Sequence, residues 1–132
     1  MGSVELMSDG TATDFGIGAI VKALIAHRYN IAHEADLQLA IGDVLEGYGF
    51  LIQREVELSR GDRIDFMVGS LGIELKVKGA QNAVIRQLQR YAASDRVSAL
   101  LLVTTRLQLV VGLPDALNGK PLASVAIPSS LR

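Results

Sequence analysis

The chain has 132 residues, 49% of them hydrophobic and 20% charged, which suits one soluble domain with its own core and leaves tandem domains cramped. The absence of cysteine excludes disulfides, zinc–thiolate sites and thiol nucleophiles together, and is compatible with a reducing compartment. A net charge of −1 argues against a nucleic-acid partner only on average, because residues 79–132 hold six basic and two acidic side chains whereas residues 1–53 hold two basic and seven acidic.

In chain order, residues 1–12 are polar and expected to be flexible, with Glu5 and Asp9 where a secretory signal would be positive. No apolar run reaches the length of a membrane span, so a cytoplasmic protein with no membrane partner is expected. "GIGAIVKALIAHRYN" (16–30) has helical spacing. From His33 to Tyr48, Leu37, Ile41, Val44, Leu45 and Tyr48 recur at helical spacing, and Gly47 and Gly49 end the run. Residues 50–58 alternate like a strand, with Ile52, Val56 and Leu58 on one side and Gln53, Glu55 and Glu57 on the other. Residues 63–68 and 73–78 read as a hairpin. Residues 80–93 return to helical spacing, and "VSALLLVTT" (97–105) predicts a strand buried on both faces. Strand, helix and buried strand in succession predict a parallel crossover. "LQLVV" (107–111) and "LASVAI" (122–127) are expected edge strands around a Gly/Pro/Asn loop. The fold class is α/β, a mixed β-sheet flanked by helices, read as a single domain over residues 1–132 with its core at 33–104.

The hairpin carries charges in both strands. With residues 69–72 as the loop, Asp65 stands opposite Lys76 and Met67 opposite Glu74. Alternation then sends Ile64, Phe66, Val68, Ile73, Leu75 and Val77 to one face and Arg63, Asp65, Met67, Glu74, Lys76 and Lys78 to the other. Asp65 and Glu74 would lie diagonally across the pair, near enough to converge on one small cation with Lys76 beside them. Magnesium takes oxygen ligands, commonly one or two carboxylates, waters and a substrate phosphate. Such an ion activates water and neutralises charge on phosphorus, and an ammonium adds donors to the same transition state. A solvent-facing sheet surface with a cross-strand ion pair would account for the same residues.

"RIDFMVGSLGIELKV" resembles the core motif of the PD-(D/E)XK nuclease superfamily: an aspartate on one strand, Asp65, then ExK on the next, Glu74-Leu75-Lys76. Ile64 stands where that motif has proline. Glu34 in "HEADLQLAIGDVLEGYGF" is similar to the family's glutamate in the helix before the sheet, and Gln87 in "QLQRY" to its glutamine in the helix after ExK. The resemblance covers residues 33–104 and implies a restriction-endonuclease-like core in the order α-β-β-β-α-β. It further implies a catalytic set of Asp65, Glu74, Lys76, Glu34 and Gln87. Asp65, Glu74, Glu34 and the Leu75 carbonyl would hold Mg2+, with Mn2+ as a substitute. Tyr91 would line the site with Gln87, and Arg63, Lys78, Arg86, Arg90 and Tyr91 would meet nucleic acid. The implied activity is endonucleolytic hydrolysis of DNA, with RNA left open. Small size and the lack of an obvious specificity domain are similar to Holliday-junction resolvases and compact phage or repair nucleases. The alternative is a catalytically inactive relative serving as a binding or assembly module.

Other motifs fail. "GIGAIV" (16–21) lacks the third glycine of a dinucleotide turn and a preceding strand, and Gly119-Lys120 lies outside any phosphate-binding loop spacing. His27 and His33 have no partner at metal spacing. Because one site cuts one strand and "LLLVTTRLQLVV" offers more apolar surface than one core needs, a homodimer is expected.

Overall fold

A computed structural model describes residues 16–30 and 33–127; the stretch expected to be flexible, residues 1–12, lies outside them. The elements run α1 (Ile17–Ile25), α2 (Glu34–Gly47), β1 (Gln53–Ser59), β2 (Asp62–Val68), β3 (Leu71–Lys76), α3 (Gln81–Ala92), β4 (Ala99–Thr104), a 3-10 turn (Leu107–Leu109), β5 (Ala116–Leu117) and β6 (Lys120–Ala126). The sheet is mixed and six-stranded, in the order β1-β2-β3-β4-β6-β5. Antiparallel pairing joins β1 to β2 and β2 to β3, whereas β3, β4 and β6 run parallel. No helix among the described residues is long and apolar enough to cross a membrane.

Alternation in β4 builds a core on each side of the sheet. All six of its residues are buried, because helices cover both faces of the parallel strands. Ala99, Leu101 and Val103 join Leu71, Ile73 and Leu75 of β3 against Ile20 and Leu24 of α1 and Leu37, Ile41 and Leu45 of α2. Leu100 and Leu102 face the other way, against Val84, Leu88 and Tyr91 of α3. Gly72 belongs to this second face. A Cβ there would come within 2.6 Å of Ile64 Cδ1 and 3.0 Å of Leu100 Cδ2, so the strand needs its smallest residue at that point.

The hairpin differs from its sequence-based register. Val68 pairs with Leu71, Met67 with Gly72 and Phe66 with Ile73, so the loop is only Gly69-Ser70 and residues 71 and 72 are strand. Gly69 has φ +60°, the left-handed value that a two-residue type II′ turn requires at its first central position. Extended by one residue, this register sets Asp65 against Glu74 rather than Lys76. Val77 and Lys78 fall beyond the strand.

The facing of the strands is corrected too. Met67, expected on the charged side, is buried in the α3 core, and Ile64 joins that core rather than the one holding Phe66. Ile52 packs with the α1/α2 core while Val56 and Leu58 pack with the α3 core, so their expected common side does not form.

Residues 107–111 are not a strand: 107–109 form the 3-10 turn and 110–111 a plain turn after it. The Gln81 side-chain amide donates to the carbonyls of Leu109 (3.3 Å) and Val111 (2.7 Å), and Val110 N–H bonds back to Leu107 O at 2.9 Å. Those bonds occupy groups a ladder would have used. The last strand, expected at an edge, is internal: it pairs with β4 on one side and the two-residue β5 on the other. An Asn118-Gly119 turn inside the expected loop makes the β5–β6 hairpin, with φ +51° and +75°.

Candidate active site

Asp65 lies where β1 and β2 both lose their alternation. The pairs Arg54↔Phe66 and Val56↔Ile64 flank it. Arg54 sits over the Phe66 ring, 5.6 Å from its centre, on the α2 side. Val56 and Ile64 belong to the α3 side. Residues two apart in a regular strand share a face; here the facing reverses across Glu55 in one strand and Asp65 in the other. Glu55 has φ +51°, outside the extended region.

Past Phe66↔Ile73, side chains take over from the β2–β3 ladder. Leu75 N–H donates to Asp65 Oδ2 at 2.8 Å, and Asp65 N–H donates to Glu74 Oε1 at 3.2 Å. Each carboxylate thus satisfies a backbone donor of the opposite strand. Glu74 is only 3% exposed. Lys76, two residues on and on the same face, has Nζ 3.5 Å from Glu74 Oε2. The Tyr91 hydroxyl, projecting from α3, is 2.9 Å from Arg63 O and 3.4 Å from Glu74 Oε2. The nearer carbonyl is the better acceptor of its single proton.

Burial raises the Glu74 carboxyl to about 8; the Asp65 charge adds to the rise and Lys76 opposes it. Burial likewise raises Asp65, opposed by the Leu75 N–H and reinforced by the charge of Glu34. The Tyr91 phenol is held above its ordinary range, first by burial and then by Glu74. Two carboxyl groups so placed do not both carry full charge without a proton or cation between them.

The structure brings Asp65, Glu74, Lys76 and Tyr91 together, with Leu75 supplying a backbone N–H. Glu34, the first residue of α2, reaches the end of β3 and accepts the Val77 N–H at 3.4 Å. It does not complete a three-carboxylate ligand set: among the described residues no group of three or more His, Asp or Glu side chains is gathered closely enough to hold an ion. Gln87 is half-buried one turn before Tyr91, and its side chain makes no hydrogen bond in the described residues. Arg63 is turned toward Glu55 (3.6 Å) and Arg90 toward Asp62 (3.0 Å), while Lys78 and Arg86 are exposed. The Arg90 hydrogen bond holds Asp62 below the usual carboxylate range. Sequence reading did not single out Glu55, and no local pattern marks it. Compared with family models, curated proteins and solved structures, the chain has no match in any of the three.

Proposed function

We propose that the protein is a Mg2+-dependent endodeoxyribonuclease with a restriction-endonuclease-like core of the PD-(D/E)XK type. The observation that carries this reading is the meeting of Asp65 with the buried Glu74, the Lys76 ammonium 3.5 Å from the latter. A buried acid paired with a half-buried one beside an amine has chemistry suited to a divalent cation and a phosphate. The order α2-β1-β2-β3-α3-β4 supports the same core.

In this reading Asp65, Glu74 and the Leu75 carbonyl would hold Mg2+ or Mn2+. When bound there, such an ion would supply Lewis-acid polarisation of the phosphate and an activated water. Lys76 directs its ammonium at a phosphate oxygen and stabilises charge developing there. The Asp65 N–H fixes the Glu74 carboxylate, Tyr91 packs beside it while its hydroxyl donates to Arg63 O, and Glu34 ties the start of α2 to the strand end. Arg63, Lys78 and Arg86 offer exposed charge to the DNA backbone. A homodimer would cut both strands of a branched or linear duplex. Leu100 to Val103 are buried within the chain, so the apolar surface left for a partner in that stretch is Leu107 and Val111.

One observation favours the second reading, an inactive nuclease-fold module for binding nucleic acid or protein. Both carboxylates are engaged by backbone N–H groups, and no larger ligand cluster surrounds them in the described residues. Incubating wild type, Asp65→Ala and Lys76→Ala with supercoiled plasmid, single strands, four-way junctions and RNA in Mg2+ or Mn2+ separates the two. Metal-dependent nicking that both variants lose supports the nuclease. Equal background in all three proteins, with no Mn2+ binding, favours the module.

A further inference from the structure

We infer that Glu55 is a positioning residue for the carboxylate site, acting through its left-handed backbone on Asp65 across the β1–β2 pair. Glu55 occupies the position opposite Asp65, between the pairs Arg54↔Phe66 and Val56↔Ile64. Its φ of +51° is matched among the described non-glycine residues only by Asn118. The two cases differ in local cause. Asn118 precedes Gly119 in a two-residue hairpin turn, where asparagine is favoured. Glu55 lies inside a strand, where its own type prefers other conformations and no turn asks for a positive φ. A backbone held in a sparsely populated region inside regular structure points to what it positions.

The geometry identifies that object. Turning the chain at Glu55 reverses the facing of β1 between Arg54 and Val56, and β2 reverses between Phe66 and Ile64 at the same level. Without this paired reversal Asp65 would stay in phase with Met67 on the α3 side that Glu74 also faces, its side chain standing off the sheet and away from the in-plane Leu75 N–H. With it, the Asp65 N–H reaches Glu74 Oε1 and Asp65 Oδ2 receives the Leu75 N–H. The Glu55 carboxylate also bridges Gln38 Nε2 (3.5 Å), one turn beyond Glu34 on α2, and Arg63 Nη1 (3.6 Å), two residues before Asp65. Those contacts are exposed; the backbone turn is what sets the site.

The consequence for metal binding rests on the nuclease reading, whereas the positioning of Asp65 does not, and the test separates them. In the full chain, Glu55→Val favours an extended backbone and Glu55→Gly permits the left-handed one. The Asp65 and Leu75 amide resonances report the site, those of β4 report the fold, and Mn2+ titration reports affinity. Glu55→Val is expected to displace the Asp65 and Leu75 resonances, leave β4 unmoved and weaken Mn2+ binding about tenfold or more. Glu55→Gly is expected to keep the resonances in place, hold Mn2+ affinity within about threefold and melt higher than wild type, because glycine adopts this φ freely. Unmoved site resonances in a folded Glu55→Val overturn the inference. So does a displaced site or a lowered melting temperature in Glu55→Gly, which decides the matter should the valine variant not fold. Wild type that binds no Mn2+ sinks the nuclease reading while the resonances still judge Glu55.

Discussion

The two halves of the sheet are built on different terms. From β3 across β4 to β6 the ladder is parallel and regular, with residues 71–76 matched one for one with 99–104 and the apolar side chains of β4 packed on both faces. From β1 to β3 the pairing reverses its facing at Glu55 and Asp65 and stops at Phe66↔Ile73, and there the buried charges gather. Regular strands satisfy their own backbone and leave side chains only to pack. Where the ladder breaks, N–H groups become available to carboxylates, and acids can be buried because something donates to them. The regular half is a mount; the broken half is where carboxylates meet unpaired backbone donors.

The sharpest way to break this contrast is to exchange effects between the halves. Asp65→Ala and Lys76→Ala are expected to lower metal-dependent cleavage by about 100-fold or more, Lys76→Ala with melting temperature little changed and Asp65→Ala losing about 1–3 kcal/mol because the Leu75 N–H is left without its acceptor. Leu101→Ala, in the regular half, should cost about 2–5 kcal/mol of stability while cleavage per folded molecule stays near wild type. Denaturant titration beside a nicking assay checks both, and a reversed pattern removes the division. Gly72→Ala probes the border. Its Cβ would press on Ile64 Cδ1 at 2.6 Å, and the expected loss is about 1–3 kcal/mol in urea unfolding.

Proton linkage sharpens the contrast further. The Glu74 carboxyl is raised to about 8 in the fold against an ordinary 4.5, so its contribution to stability is intact below the ordinary value and fades as pH climbs toward 8. Metal-free protein should therefore lose melting temperature between about pH 5 and pH 8, Glu74→Gln should flatten that slope, and Mn2+ should restore the lost degrees. Thermal melts across pH with and without the ion test all three. The smallest effect belongs to the β5–β6 turn. Asn118→Ala gives up φ tolerance and the bond from Asn118 Nδ2 to Gln89 O at 3.1 Å, about 1 kcal/mol by chemical denaturation, with no change in ion binding.

What the sequence made legible follows the same division. The 3.6-residue spacing of Leu37, Ile41 and Leu45, and of Val84, Leu88 and Tyr91, marks α2 and α3, and the unbroken run at 100–103 marks the central strand. Asp65, Glu74 and Lys76 were identifiable because charge inside an apolar alternation is conspicuous. The break at Glu55 and Asp65 was not, since Ile64, Phe66 and Val68 satisfy a perfect alternation on paper; Met67, apolar among charges, was the one discordant letter. Residues 107–111 read as a strand because the groups that claim their carbonyls sit in Gln81, about thirty positions away. The Gly69-Ser70 turn does carry a signal, a glycine-first dipeptide between two apolar runs, shorter by two residues than the 69–72 loop expected from the strand patterns.

That turn has a consequence for how the chemistry is encoded. Sliding β3 by two positions along β2 would preserve the oil-and-water partition completely, because inward letters stay inward, yet it would swap an acid–acid encounter at Asp65 for an acid–base one with Lys76. Composition and polarity cannot choose between these two frames. A pair of small residues at the hairpin tip does, so the spacing of a loop that touches no ligand sets which functional groups meet.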